Sequence, residues 1–289
     1  MSEVDLINSH FPGLPDLPRL IRGTDGYPDS EFALLLTVAT WFNTNDATGL
    51  TPRQVPIPGV HAKWLNTHQP YILLLTGRDT LGLLPRHPAR IHFTYLDPTY
   101  LATGARRHDT ATVGDTFTPP YQPSVVVISE NKDTAIHFPP TTHGIAVEGS
   151  GFGGKTAAAF PWLTDTPHLY YWGDIDAHGY EILNGWREDG LPVTSILMDS
   201  TTYDTYARFG TSTDQNGNPL KPGNPKPLPR LTPDEHAMYR RLLDPAFSGH
   251  RRIEQERIPL HAAVDALTSH VSGPRAQTAS SNRSPDRSG

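Results

Sequence analysis

Asp174 and Asp176 stand one residue apart in "YYWGDIDAHGYEILNGWR", directly after an apolar run that begins at Tyr170. In an extended chain residues i and i+2 share a face, so both carboxylates converge while Ile175 turns to the core. Like charges so placed repel and raise a carboxyl pKa unless a cation lies between them. Mg²⁺ or Mn²⁺ suits such a pair, because these ions take hard oxygen ligands and keep several waters, so two or three carboxylates suffice. The same residues also read as a turn in which one aspartate caps the helix "GYEILNGWR". On these residues alone both readings stand.

Other residues add to the choice. Glu130 closes the run "SVVVISE". There it can bind a metal, serve as general acid or base, or simply favour a helix start by its charge. Asp199 closes "PVTSILMD" in the same way. His178 can orient a carboxylate, contact a phosphate, or line the turn. A rival site is "GSGFGGKT", Gly149 to Thr156, which matches G-x-x-x-x-G-K-T in full and would hold nucleotide phosphates through Lys155 and Thr156. Two features count against it: the segment is rich in Ala and Gly, which makes a chance match easier, and the following helix is short. The helix that follows has barely one turn before Pro161–Trp162, and a phosphate needs a longer helix N-terminus. The expected structure is therefore a glycine-rich strand–helix turn with Lys155 placed to contact a backbone phosphate. No G-x-S-x-G occurs, which argues against a hydrolase triad. "RRIEQERIPLHAAVDAL" reads as the start of a helix with a solvated, salt-bridged face, with Glu254 or Glu256 reaching the metal site as a second reading. Tyr71 and Tyr203 read as packing residues.

The elements that must position these residues alternate. "SVVVISE", "HGIAVEGSG", "HLYYWGDID" and "PVTSILMD" read as strands. Helices are expected between them at roughly Lys132–Phe138, Lys155–Leu163 and Gly179–Glu188. That order predicts an α/β fold with a parallel sheet flanked by helices and right-handed crossovers. Ligands of such sheets bind at the carboxyl ends of the strands, where Glu130, Asp174, Asp176 and Asp199 lie. Ahead of the sheet, "DSEFALLLTVATWFNT" has helical spacing with Asp29 or Ser30 as N-cap. "GVHAKWLNTHQPYILLLTG" adds one or two helices, and "RIHFTYLDP" alternates like a strand. A smaller helical domain of winged-helix type is expected over residues 1–110. The sheet domain is expected over 111–271 and a disordered tail over 272–289, which lacks apolar residues.

Bulk properties set limits. A chain of 289 residues makes one large or two ordinary domains. It has no cysteine, so disulfides and zinc–thiolate sites are excluded. The start "MSEVDLINSH" has no basic segment ahead of an apolar core, and runs such as "YILLL" are too short to span a bilayer. A cytoplasmic protein with no membrane partner is expected. The net charge of −6 is unevenly spread: −5 over 1–50, +4 over 51–110, −8 over 111–200 and +3 over 201–289. An acidic middle between basic flanks fits a metal site with phosphate-binding neighbours, and Arg106, Arg107, Arg251 and Arg252 lie in those flanks.

An acid ending one strand and an Asp-x-Asp ending a later strand resemble the toprim pattern of topoisomerases, primases and related nucleases. "VVVISENKDTAIHFP", "GSGFGGKTAAAFPWL", "YYWGDIDAHGYEILNGWR", "SILMDSTTY" and "RRIEQERIPL" together resemble the JetD family, nuclease subunits of Wadjet anti-plasmid systems. "RQVPIPGVHAKWLNTHQPYILLL" and "IHFTYLDP" resemble the segment that precedes the toprim part in that family, which is like the winged-helix domain of the topoisomerase VI A subunit. The resemblance covers roughly residues 50–262. It implies a Mg²⁺- or Mn²⁺-dependent endonuclease of double-stranded plasmid DNA. It also implies a homodimer that works with a condensin-like SMC complex of JetABC type. Glu130 matches the toprim glutamate, and Asp174 and Asp176 match its aspartate pair. The family carries a longer N-terminal arm that docks on the motor complex, and the chain is expected to be a truncated or short variant. With no tyrosine nucleophile nominated, hydrolysis by an activated water is expected rather than a covalent protein–DNA intermediate.

Overall fold

A computed structural model describes residues 3–272 apart from 15, 86, 150–152 and 215. The chain divides into two compact units, Met1–His87 and Pro88–Gly289. The expected tail lies outside the described residues from 273 onward, as does the middle of the "GSGFGGKT" stretch.

The first unit holds α1 (Glu3–His10), α2 (Leu17–Thr24), α3 (Asp29–Thr44) and α4 (Ala62–Thr76). Phe32, Leu35, Leu36, Ala39 and Phe42 recur at helical spacing on α3, and all are buried in this unit's own core with Ile7, Leu65 and Ile72. The N-cap of α3 is Pro28 and makes no side-chain cap bond. Asp29, an expected cap, is instead the first helical residue, where its charge and that of Glu31 favour the helix dipole. α4 starts on His61, whose ring accepts from Trp64 N at 3.2 Å, and stops at Gly77 with φ 65°. Among the described residues this unit contains no strand, so the β element expected of a winged helix is not formed here.

That element joins the second unit. In chain order the second unit runs β1 (Arg90–Tyr95), α5 (Pro98–Leu101), β2 (His108–Thr112), β3 (Val125–Ser129), α6 (Lys132–His137), β4 (Gly144–Glu148) and α7 (Gly154–Ala157). It continues with α8 (Pro161–Thr164), β5 (His168–Trp172), α9 (Ala177–Glu188), β6 (Thr194–Ser195), α10 (Ser200–Tyr206), α11 (Pro233–Leu243) and α12 (Leu260–Ser272). The six strands form one mixed sheet in the order β2-β1-β4-β3-β5-β6. β4, β3, β5 and β6 are parallel, and β1 runs antiparallel to both β4 and β2. Because β1 bonds to β4, the structural division falls after His87, earlier than the boundary expected at 110.

β3 is buried at every position, as a strand covered on both faces must be. The chain leaves β3 for β4 on one side and then crosses to β5 on the other. This reversal places a topological switch point between the carboxyl ends of β3 and β5. Three expectations need correction. The helix expected over 155–163 is two single turns, α7 and α8, because Pro161 starts a new helix. β6 pairs over only two residues. The stretch that begins at Arg251 does not start as an α-helix: Ile253 exchanges main-chain hydrogen bonds with Ile175 at 2.9 and 3.1 Å, Gln255–Arg257 make a single 3-10 turn, and α12 begins only at Leu260.

Candidate functional site

The switch point carries the acids. Glu130 follows β3 directly, and its N–H donates to Trp172 O at 2.9 Å, so the ladder to β5 extends one residue past the strand. Asp174 follows β5 by two residues. Its N–H donates to Glu130 Oε2 at 3.3 Å, and the Tyr171 hydroxyl donates to the same oxygen at 3.0 Å. Gly173 makes this approach possible: a Cβ there would lie 2.5 Å from Glu130 Oε2 and 2.6 Å from the Tyr171 hydroxyl.

The far wall comes from a segment some 80 residues away. Gln255 N donates to Asp174 Oδ1 at 2.8 Å. Its side chain donates to Ser129 Oγ at 2.8 Å and accepts from Asn131 N at 3.0 Å, tying this segment to the end of β3. Glu130, Asn131, Asp174, Glu254 and Glu256 line a hollow of about 230 Å³. Glu254 and Glu256 therefore line the same hollow as Glu130 and Asp174, while Glu254 also pairs with Arg257 at 3.5 Å on the surface. Asn131 also caps α6 and donates to Glu256.

Burial pushes the Glu130 carboxyl up from its ordinary pKa. The bonds from Tyr171 and Asp174 N pull it down, and the Asp176 charge adds to the rise. Asp174 is pushed up to about 7, first by burial, against the Gln255 N–H bond and with help from the charges of Glu130, Asp176 and Glu256. Tyr171 is buried and held well above its usual range by burial and by Glu130, so it stays a protonated donor.

Asp176 differs from Asp174. Its Oδ1 accepts from Gly179 N at 2.8 Å and caps α9. Its Oδ2 accepts from Arg252 Nε at 2.6 Å, while the same nitrogen stands 3.9 Å from Asp174 Oδ2. The two readings of Asp-x-Asp thus both have a residue: Asp176 caps the helix, and Asp174 faces the acidic hollow. Among the described residues no three His, Asp or Glu side chains form a ready metal cage. The donors nevertheless fit a hard divalent cation. Glu130 and Asp174 are half-buried carboxylates just past the ends of adjacent strands, among the described residues the one ion pair either makes is that of Asp174 with Arg252 at 3.9 Å, and such an ion needs only two protein carboxylates.

The remaining expected residues scatter. His178 is exposed in the first turn of α9 and bears on the charge of Glu130. Lys155 is exposed on α7, but its N–H donates to Asp189 Oδ2 at 3.3 Å. A carboxylate thus stands at the helix start where a nucleotide phosphate would have to sit, beside Thr156. Arg106 is exposed and pairs with Asp109 at 3.1 Å, and Arg107 donates to Phe138 O at 3.4 Å. Arg251 donates to Leu242 O and Asp244 O, closing the end of α11. Asp199 caps α10 through Thr202 N at 2.8 Å and stays out of the acidic hollow. Tyr203 is buried and donates to His250 O at 2.6 Å, a packing role. Tyr71 edges against Tyr27 in the first unit. Sequence reasoning missed Tyr171 and Gln255 altogether; the alternation of β5 puts Tyr171 two residues before Gly173 and was the available signal for one of them.

Fold and site together define a class: an α/β protein with a carboxylate centre at the switch point of its parallel strands. The family described as Wadjet protein JetD, C-terminal, matches residues 82–267, more than half of the 289 residues. The chain belongs to that family. Residues 2–75 match the N-terminal region of a family described as an uncharacterized protein conserved in bacteria, DUF3322. No curated protein matches the chain. Among the described residues no helix is long and apolar enough to cross a membrane.

Proposed function

We propose that the chain is the DNA endonuclease of a Wadjet-type plasmid-restriction system, with a toprim-like catalytic sheet. The observation that carries this reading is the half-buried pair Glu130 and Asp174. Two carboxyls pushed upward in pKa, set just past the ends of adjacent parallel strands with the Asp174 N–H donating to Glu130, and lining one hollow with more acids, are an arrangement that a divalent cation would relieve.

Glu130 and Asp174 would hold Mg²⁺ or Mn²⁺, with Asp176 as the third candidate ligand. A bound ion of this kind supplies Lewis-acid stabilisation of phosphodiester charge and a more acidic water. The chain's own residues do the positioning. Tyr171 and Asp174 N fix one oxygen of Glu130, and Gln255 fixes one oxygen of Asp174. Backbone phosphates would meet His178, Lys155, and a groove of about 560 Å³ in which Arg106 stands with His92, His108 and Lys132. Lys132 lies two residues past Glu130, so that groove begins near the acids. Such contacts hold DNA without reading its sequence, so cleavage should be sequence-tolerant. The reading also takes the protein as a homodimer that acts with a condensin-like SMC motor, in the cytoplasm.

Asp189 at the start of α7 disfavours the nucleotide-binding alternative. Supercoiled-plasmid nicking with Mn²⁺ tests the proposal. Glu130→Ala and Asp174→Ala are expected to lower the rate at least about a hundredfold, since each removes charge stabilisation at the reacting centre. Variants that fold and nick as fast as wild type would place the chemistry elsewhere.

A further inference from the structure

Arg252 is held in a way that the catalytic reading leaves unexplained. Its backbone pairs with Thr211 on one side, with bonds of 2.8 and 3.1 Å. The next residue, Ile253, pairs antiparallel with Ile175 on the other side. That register sets residue 252 across from 176 and 254 across from 174. One bridge therefore sorts the aspartate pair: Asp176 faces a guanidinium, and Asp174 faces Glu254. Opposite charges across a pair of strands attract and like charges repel. The outcome is visible in the bonds, with Arg252 Nε 2.6 Å from Asp176 and 3.9 Å from Asp174.

We propose that Arg252 is a positioning residue that serves as the resident countercharge of the aspartate pair and releases Asp176 when a divalent cation binds. This rests on the metal reading of Glu130 and Asp174. Asp176 has two oxygens and both are in use: Oδ1 caps α9, and only Oδ2, held by Arg252, can be made available without uncapping the helix. The Asp176 side chain is 8 % exposed, so it cannot be left unpaired without cost. A cation is the natural replacement. The freed guanidinium has a place to go, because Arg252 already walls a second groove of about 530 Å³ that holds the Asp214 carboxylate with Thr211, Thr213 and Asn216. Arg252 thus keeps the site neutralised before the ion arrives and sets how tightly the ion is held.

The test is calorimetric titration of the full chain with MnCl₂, comparing wild type, Arg252→Ala, Asp176→Asn and the double variant. Breaking a charge-assisted bond opposes ion uptake, so Arg252→Ala should bind Mn²⁺ about tenfold more tightly than wild type. In the Asp176→Asn background the same change should alter affinity less than about threefold, because the oxygen that Arg252 controls is gone. Mn²⁺ should also raise the thermal midpoint of Arg252→Ala more than that of wild type. Should Arg252→Ala fail to fold, Arg252→Lys keeps the charge but loses the planar nitrogen and should tighten Mn²⁺ binding by a smaller factor. Equal or weaker binding in both Arg252 variants would overturn the proposal. Equal tightening in the two backgrounds would overturn it as well, since that is what a distant charge alone would do. A wild-type chain that takes up no Mn²⁺ would remove the metal site itself.

Discussion

At the scale of single residues, the acidic centre depends on what is absent as much as on what is present. Gly173 has no side chain, and the space is filled by Glu130 Oε2 and the Tyr171 hydroxyl. Gly179 likewise sits where a Cβ would collide with the Asp174 carbonyl. Gly173→Ala is expected to push Glu130 or Tyr171 out of its bond and to destabilise the fold by about 1–3 kcal/mol, the usual cost of overpacking. Plasmid nicking measures the first effect and thermal unfolding the second; an unchanged melting midpoint would show that Glu130 and Tyr171 do not fill the space beside Gly173. The position of Glu130, Asp174 and Asp176 just past the ends of β3 and β5 was legible in the sequence, because acids ending apolar runs stand out and their spacing is local. The split between the two aspartates was not. It depends on Ile253 and Arg252, far away in the chain, and a period-2 argument past the end of β5 treats both carboxylates alike.

At the scale of elements, the sheet was readable and its supports were not. β3, β4 and β5 are continuous apolar runs because they are covered on both faces. β6 keeps only two paired residues, so "PVTSILMD" promised more strand than it forms. What secures that edge is a polar pin. Glu235 on α11 accepts from Arg187 on α9 at 2.6 and 2.9 Å and from Ser195 on β6 at 2.6 Å. Burial works to raise the Glu235 pKa, but the bonds from Arg187, Ser195 and Thr232, with the Arg187 charge, outweigh it and hold the carboxyl below its ordinary value. A depressed carboxyl stabilises the folded state above its unfolded pKa of about 4.3, and that contribution is lost as pH falls through the lower folded value. Glu235→Gln should therefore cost about 2 kcal/mol near pH 7, and the gap to wild type should narrow as pH drops below about 4. Denaturant unfolding across that range measures it, and a gap that stays constant with pH would mean the ionised pair contributes nothing. Because Arg187 and Glu235 lie 48 residues apart, their pairing leaves no local pattern to read.

At the scale of the whole molecule, the two units follow the two family matches, one ending at residue 75 and the other beginning at 82. The helical first unit was legible from its 3.6-residue spacing. Its border was not, because an alternating strand such as "RIHFTYLDP" announces pairing without naming its partner, which proved to be β4. The C-terminal stretch 251–257 was hardest to read: its charges suggested a helix face, yet it folds as the wall of the acidic hollow. We propose this hollow as a divalent-cation site built on Glu130 and Asp174. Anomalous diffraction from crystals soaked in MnCl₂ decides it. A manganese peak within ligand distance of both carboxylates is the expected result. Ordered Glu130 and Asp174 side chains with no peak between them, or a peak at another set of acids, would contradict it.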